Sequence, residues 1–164
     1  MPISIQAPGR KTKMNKMPAI GPEEWKYIFT LLGLVVVADG RLTEEKVEAY
    51  KDAMMELAVV IDPSLVMTRR MIFDWFLSHK QELDDVIMSL EYDTALINIF
   101  KEIRNLPHKL DVITGMVKIS IADGLYSDMS KLFIKKTILY WNVRGGDAGD
   151  DVLLPKRVKL ALSN

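Results

Sequence analysis

The tripeptide Ala-Asp-Gly occurs twice in the chain, and both copies stand in the same local context. Asp39 lies in the stretch VADGRLTEEK, and Asp123 lies in IADGLYSDMS, 84 positions later. Each copy follows an apolar run and precedes a Thr or a Ser, the residue types that cap helix N-termini. Glycine just past a helix permits the left-handed backbone that reverses the chain. Each copy therefore predicts a turn between two helices.

The segments around the two copies agree in character when they are superposed at this offset. The matched apolar pairs are Ile28 with Val112, Leu32 with Met116, Val35 with Ile119, Tyr50 with Ile134, Met54 with Ile138 and Leu57 with Trp141. The predicted caps Thr43 and Ser127 also coincide, whereas Val47 meets Lys131. The sequence therefore predicts two helix-turn-helix units of equal length, which form an internal pseudo-repeat.

Between residues 23 and 143 the pattern is helical throughout. Predicted helices cover residues 23–38, 43–61, 63–77 with Asp62 as cap, a further helix from Ser78, 93–105, another from Pro107, and one from Ser127 to Trp141. The predicted fold class is all-α, a compact bundle of about seven helices.

The two ends of the chain differ from this body. Residues 1–22 contain four prolines and no helical period, so they are predicted as a basic N-terminal arm, and residues 23–164 as the helical domain. The whole chain has 22 basic and 22 acidic residues, and its first 20 residues carry four basic ones and no acid. That arm is either a solvated terminus or one that touches nucleic acid, an anionic surface or the acidic body. Past Trp141, a Gly-rich acidic stretch precedes KRVKLAL, a predicted terminal helix.

Several classes of function are disfavoured by composition and motifs. The chain has no cysteine, which excludes disulfides, thiolate zinc sites and cysteine nucleophiles and fits a cytoplasmic protein. The longest apolar run, residues 28–38, is shorter than the roughly 20 residues of a membrane-spanning helix. The first segment lacks the apolar core of a signal peptide. No phosphate-binding loop or nucleophile elbow is recognisable, so we expect a protein that is not an enzyme.

The negative charges of the two turn aspartates need electrostatic compensation, because each carboxylate lies at the negative end of a helix dipole. Backbone N–H groups of the loop are one source. A hard cation shared with helix-end carbonyls is another, and a partner protein is a third. We therefore take Asp39, Gly40, Asp123 and Gly124 as candidate binding residues, with Asp39 and Asp123 as candidate ligands of a divalent cation.

The only two histidines begin similar tetrads, HKQE at His79 and HKLD at His108. In each tetrad the histidine and the acid, Glu82 or Asp111, lie three residues apart and share a helix face. If the two helices converge, these four side chains would form a zinc shell. The alternative is that they are ordinary polar residues near helix starts. The methionines at positions 54, 71, 88 and 116 lie among apolar neighbours and are predicted to be core.

The doubled ADG-x-hydrophobic-Ser/Thr element in a small helical chain resembles the TerB family of tellurite-resistance and stress proteins. It is also similar to the N-terminal module of certain membrane-associated DnaJ-like proteins. The resemblance covers residues 27–143 and implies a bundle of about seven helices built as a pseudo-repeat, without demonstrated catalysis. The family pattern has Glu three residues after each cap, where it adds to an acidic cluster, but this chain has Lys46 and Ser130 there.

What the resemblance implies is a non-enzymatic, cytoplasmic, bacterial stress-response module that docks other proteins of its system and is tuned by a divalent cation. The alternative is a divalent-metal-binding protein that uses the acids at the two turns. Nucleic acid is not expected as a partner, and any peripheral association with a membrane would come through partner proteins. A small hydrolase or lyase would require a deep pocket that holds perturbed acids.

Overall fold

Six helices make up the part of the chain that the computed structural model describes, which is residues 21–89, 92–106 and 108–141. They are α1 (Pro22–Val37), α2 (Glu44–Ile61), α3 (Arg69–Met88), α4 (Tyr92–Glu102), α5 (Lys109–Ser120) and α6 (Asp128–Trp141). No strand occurs in these residues, so the all-α compact bundle is confirmed. The predictions for residues 1–20 and for KRVKLAL lie outside the described residues.

Helix α1 is the central helix of the bundle. It packs against α2, α3, α4 and α5, and Ile28, Leu31 and Val35 are completely buried. Its second half, residues 31–37, is buried all round, and a helical segment that is apolar all round is stable in water only when neighbours surround it. Helix α1 begins at Pro22, which is the last residue of the predicted arm. Just before it, the Gly21 N–H donates to Glu24 Oε1 at 2.9 Å.

Two of the predicted helix boundaries are wrong in the region of α3. Helix α3 begins after Thr68, whose hydroxyl accepts a hydrogen bond from Met71 N at 3.1 Å, and not at Pro63. Asp62 instead accepts from Ser64 N at 3.2 Å within a turn. An Asp-Pro pair is as compatible with a turn as with a helix start, and here the turn forms.

The prediction that a helix starts at Ser78 is also wrong, because α3 continues through this position. The Ser78 hydroxyl donates to Asp74 O, four residues earlier, at 2.8 Å. A serine that bonds back to its own helix leaves the helix unbroken. Two predicted helices are therefore one, and the described residues contain six helices where about seven were expected.

The helices approach closely where small residues meet. A Cβ atom added to Gly33 of α1 would lie 2.9 Å from Leu83 Cδ1 of α3. One added to Gly115 of α5 would lie 3.2 Å from Ala53 Cβ of α2.

The methionine prediction is right for two residues and wrong for two. Met54 and Met116 are completely buried, but Met71 and Met88 of α3 are exposed. An apolar neighbourhood in sequence does not reveal which face of a helix a residue occupies. Within the described ranges, no helix is both long and apolar enough to cross a membrane.

Candidate functional site

The turn between α1 and α2 is built by local hydrogen bonds. Gly40 has a φ of 78°, and its N–H donates to Val37 O at 3.1 Å. The Asp39 carboxylate accepts from Arg41 N at 3.0 Å. Thr43 Oγ1 then accepts from Lys46 N at 3.2 Å and caps α2. The glycine and the cap thus have the roles that the sequence predicted.

The turn between α5 and α6 has the same hydrogen bonds 84 positions later. Gly124 has a φ of 85°, and its N–H donates to Ile121 O at 3.0 Å. Asp123 Oδ1 accepts from Leu125 N at 3.1 Å. Ser127 Oγ accepts from Ser130 N at 3.1 Å. In each turn one backbone N–H therefore compensates part of the aspartate charge, as the first of the three alternatives predicts.

The two turns lie side by side, and Arg41 joins them. Its Nη2 atom lies 3.0 Å from Asp39 Oδ2, and its Nη1 atom lies 3.4 Å from Asp123 Oδ2. Both carboxylates are almost entirely buried, whereas the guanidinium group is partly exposed. The aspartates of the two Ala-Asp-Gly copies therefore share one site at one end of the bundle.

Lys46 occupies the interior of this site and is completely buried. Its ammonium nitrogen lies 2.8 Å from both oxygens of Asp39 and 4.0 Å from Asp123 Oδ2. It also lies 3.5 Å from the carbonyl oxygen of Arg41. A buried ammonium ion is stable only when paired charges replace its lost hydration. We call Asp39, Arg41, Lys46 and Asp123 the charged cluster.

The charged cluster is electrically balanced, since its two carboxylates face two cations. Burial pushes the pKa of Asp39 up, but the hydrogen bonds from Lys46 and from Arg41 N, with the charges of both residues, outweigh it and lower the pKa. Asp39 is therefore ionised at neutral pH. The other aspartate is less well satisfied, because Asp123 Oδ2 is buried without a hydrogen-bond partner in the described structure.

Lys46 and Arg41 are the residues that sequence reasoning did not assign to the site. Lys46 was noted only as a departure from a family pattern. A signal for its burial does exist, because Lys46 precedes the buried residues Tyr50, Ala53 and Leu57 at helical spacing and so lies on the inner face of α2. A lysine in such a stripe requires an acidic partner inside the protein.

The acids in the first turns of α2 and α6 are not part of the cluster. Glu44, Glu45 and Asp128 are exposed to solvent. Their position suits the positive end of the helix dipole.

The structure does not bring together the four residues of the predicted zinc shell. The His79 ring stacks on Trp75 at 4.1 Å between centroids, and Nδ1 lies 2.8 Å from Trp75 O. Glu82 is exposed, while His108 lies 3.3 Å from Asp111 of its own tetrad. Nowhere in the described ranges do three or more histidine or acidic side chains lie where they could share a metal ion. The helices that carry His79 and His108 do not bring their tetrads into one shell.

The chain was compared with protein-family models, with curated proteins and with solved structures, and no match was found in any of the three.

Proposed function

We propose that the protein is a non-enzymatic, TerB-like stress-response module of the bacterial cytoplasm that acts by docking other proteins. The observation that carries the proposal is the buried Lys46 ammonium, which lies between the two turn aspartates. Because the chain supplies its own cations, the aspartates are engaged in holding the two turns together. Such a site favours a structural role for these acids over a chemical one.

The residues around the charged cluster provide a surface for docking. Gly40, Arg41, Leu42, Gly124 and Leu125 are exposed on the two turns, and we call them the turn surface. Leu42 and Leu125 have exposed fractions of 48% and 54%. Arginine is enriched in protein interfaces, and exposed apolar side chains add area that binding can bury. A surface already fixed by internal ion pairs loses little conformational entropy when it binds.

We also propose that the α1–α2 and α5–α6 units are copies of one ancestral helix-turn-helix. The support is the recurrence of the turn hydrogen bonds at an offset of 84 residues, together with matched burial. Ile28 and Val112 are both completely buried, as are Leu32 and Met116. A duplication explains why one chain carries an aspartate at two turns that meet.

Site-specific photo-crosslinking in the native host tests the docking proposal. A photoreactive amino acid replaces Leu42 or Leu125 in the full chain, and cells are irradiated with and without tellurite. The matched control carries the same amino acid at Val59, which is exposed on α2. We expect positions 42 and 125 to trap the same protein and position 59 not to trap it. Absence of crosslinks from both turns, or the same products from all three positions, would refute the proposal.

The alternative is a divalent-metal-binding protein that uses Asp39 and Asp123. The observation in its favour is the buried Asp123 oxygen that lacks a hydrogen-bond partner among the described residues. A metal ion at this place would have to displace the Lys46 ammonium or the Arg41 guanidinium, since like charges repel at such distances.

Titration calorimetry on chelator-treated protein separates the two functions. Saturable heat with Ca²⁺, Mg²⁺ or Zn²⁺ that disappears in Asp39→Ala and Asp123→Ala would favour the metal-binding alternative. The docking proposal expects no saturable heat from the unmodified chain. Circular dichroism of both variants is needed as a control for their folding.

A further inference from the structure

An apolar groove runs between α4 and α6, on a part of the bundle separate from the charged cluster. It has a volume of about 390 Å³. The apolar residues that line it are Leu96, Ile97, Phe100, Leu139 and Tyr140. The Leu139 side chain is 68% exposed, and Ile97 and Tyr140 are also exposed. No other described helix contributes to the lining of this groove.

The walls of the groove are fixed by contacts beneath it. The Trp141 indole N–H donates to Phe100 O at 3.3 Å, and the Phe100 and Tyr140 rings lie 5.4 Å apart. An ion pair between Asp93 and Lys136 also links the two helices. The groove is therefore a preformed apolar surface between two helices, a shape that receives amphipathic segments.

The chain itself supplies a segment of the right chemistry at the right place. Helix α6 ends at Trp141, directly after Tyr140 of the groove, and 23 residues follow. The first ten of these contain three glycines. A chain of ten residues with this glycine content has an average end-to-end distance of roughly 16–19 Å, a reach that would allow the residues after it to return to α6.

The sequence beyond these ten residues combines apolar and basic residues. Leu154, Val158 and Leu162 recur at intervals of four residues, and Lys156 and Lys159 lie between them. Such spacing places the three apolar residues on one side of a helical segment. Because the segment is tethered beside the groove, its effective concentration there is high.

We propose that residues 152–162 of the same molecule dock into the groove between α4 and α6 through Leu154, Val158 and Leu162. The groove is thus an intramolecular docking site, independent of any partner that binds the turn surface. Its occupant covers the exposed leucine, isoleucine and tyrosine side chains that the two helices leave uncovered.

Paired cysteines test this docking in the full chain, because the natural sequence contains no cysteine. Ile97→Cys is combined with Val158→Cys, and the protein is treated with oxidised glutathione. A disulfide requires Cα atoms within about 7 Å, so it reports direct juxtaposition. The matched control combines Val158→Cys with Val59→Cys on the exposed surface of α2.

We expect the 97/158 pair to form an intramolecular disulfide, detected as the loss of two hydrogens from the intact monomer mass. Its rate should exceed that of the 59/158 pair by on the order of tenfold or more. Equal rates would overturn the proposal. A disulfide-linked dimer as the main product of the 97/158 pair would also overturn it, because the occupant would then be a second copy.

Hydrogen exchange provides a second measurement that needs no covalent bond. In the full chain, Val158→Asp should increase exchange in α4 and the end of α6 and leave α2 unchanged. Lys156→Asp, on the opposite side of a helical segment from the three apolar residues, is the matched control. Unchanged exchange around the groove in Val158→Asp would count against docking whether or not the cysteine pairs fold.

Discussion

Lys46 places a full positive charge inside the protein, within 2.8 Å of both Asp39 oxygens. Transfer of an ammonium ion from water to such a site is costly, and its partners must compensate for the lost hydration. The cost of losing one partner is therefore larger than the net contribution of the intact cluster. This asymmetry makes Lys46 the residue whose substitution is most informative.

Lys46→Met should lower the free energy of unfolding by about 3–5 kcal/mol, because it leaves buried carboxylates with too few cations. Urea unfolding followed by circular dichroism measures the change. Lys51→Met is the matched control, since Lys51 pairs with the half-exposed Glu48, and it should lower the free energy of unfolding much less than Lys46→Met does. Equal losses in the two variants would mean that Lys46 is not paired as the structure describes.

Lys46→Glu should convert the cluster into a cation-dependent site. It replaces the ammonium with a third carboxylate, and a set of oxygen ligands suits Ca²⁺. We expect added Ca²⁺ to raise the thermal midpoint of this variant and not that of the unmodified protein or of Lys51→Glu. Two outcomes would contradict the interpretation that Lys46 acts as the cation of this site. One is a folded Lys46→Glu protein whose thermal midpoint does not change with Ca²⁺. The other is an unfolded variant that does not fold when Ca²⁺ is added.

At the scale of elements, the turns were predictable because their determinants are local. Gly40 and Thr43 are read directly from the sequence, and both have the expected roles. The start of α3 was not predicted because Asp62 and Thr68 are both residue types that cap helices, and the folded chain uses Thr68. Lys46 and Asp39 are only seven residues apart in sequence, so their pairing is local. The approach of Lys46 to Asp123 depends instead on how two distant turns meet.

Gly40→Ala and Gly124→Ala should each lower the free energy of unfolding by about 1–2 kcal/mol, because an L-residue is strained in the left-handed region. Open space surrounds a Cβ at both positions, so steric clash adds nothing. Asn tolerates this backbone conformation better than Ala, so Gly40→Asn and Gly124→Asn should lower the free energy of unfolding by less. Chemical denaturation measures the four changes. An Ala variant as stable as the unmodified protein would show that the turn relaxes to another conformation.

At the scale of the whole molecule, the charged cluster links segments far apart in sequence. Arg41 of the first turn reaches Asp123 of the second, so the α1–α2 unit is tied to the α5–α6 unit at one end. The apolar core, centred on α1, joins the same units along their length. The helical class of this core followed from its periodicity, but which helices contact one another is a tertiary property that no local pattern contains.

The pH dependence of global stability should report the cluster. The pKa of Asp39 is lowered from its ordinary value of 3.8. A carboxyl with a lowered folded-state pKa stabilises the protein above its unfolded pKa, and this stabilisation is lost as pH falls through the folded pKa. The stability difference between the unmodified protein and Asp39→Asn should therefore shrink below about pH 4.

Urea unfolding between pH 7 and pH 2 measures this difference. Asp74→Asn, at an exposed residue of α3, serves as the control and should show little effect at any pH in the series. A gap between the unmodified protein and Asp39→Asn that stays constant down to pH 2 would contradict the assigned pairing.

The ammonium group inside the bundle makes the fold independent of any bound metal ion at this end. A cation attached to the polypeptide is present from translation onward, so it is neither stripped by chelators nor exchanged for a competing ion. We therefore expect this end of the protein to keep its shape whatever the surrounding concentration of free metal ions.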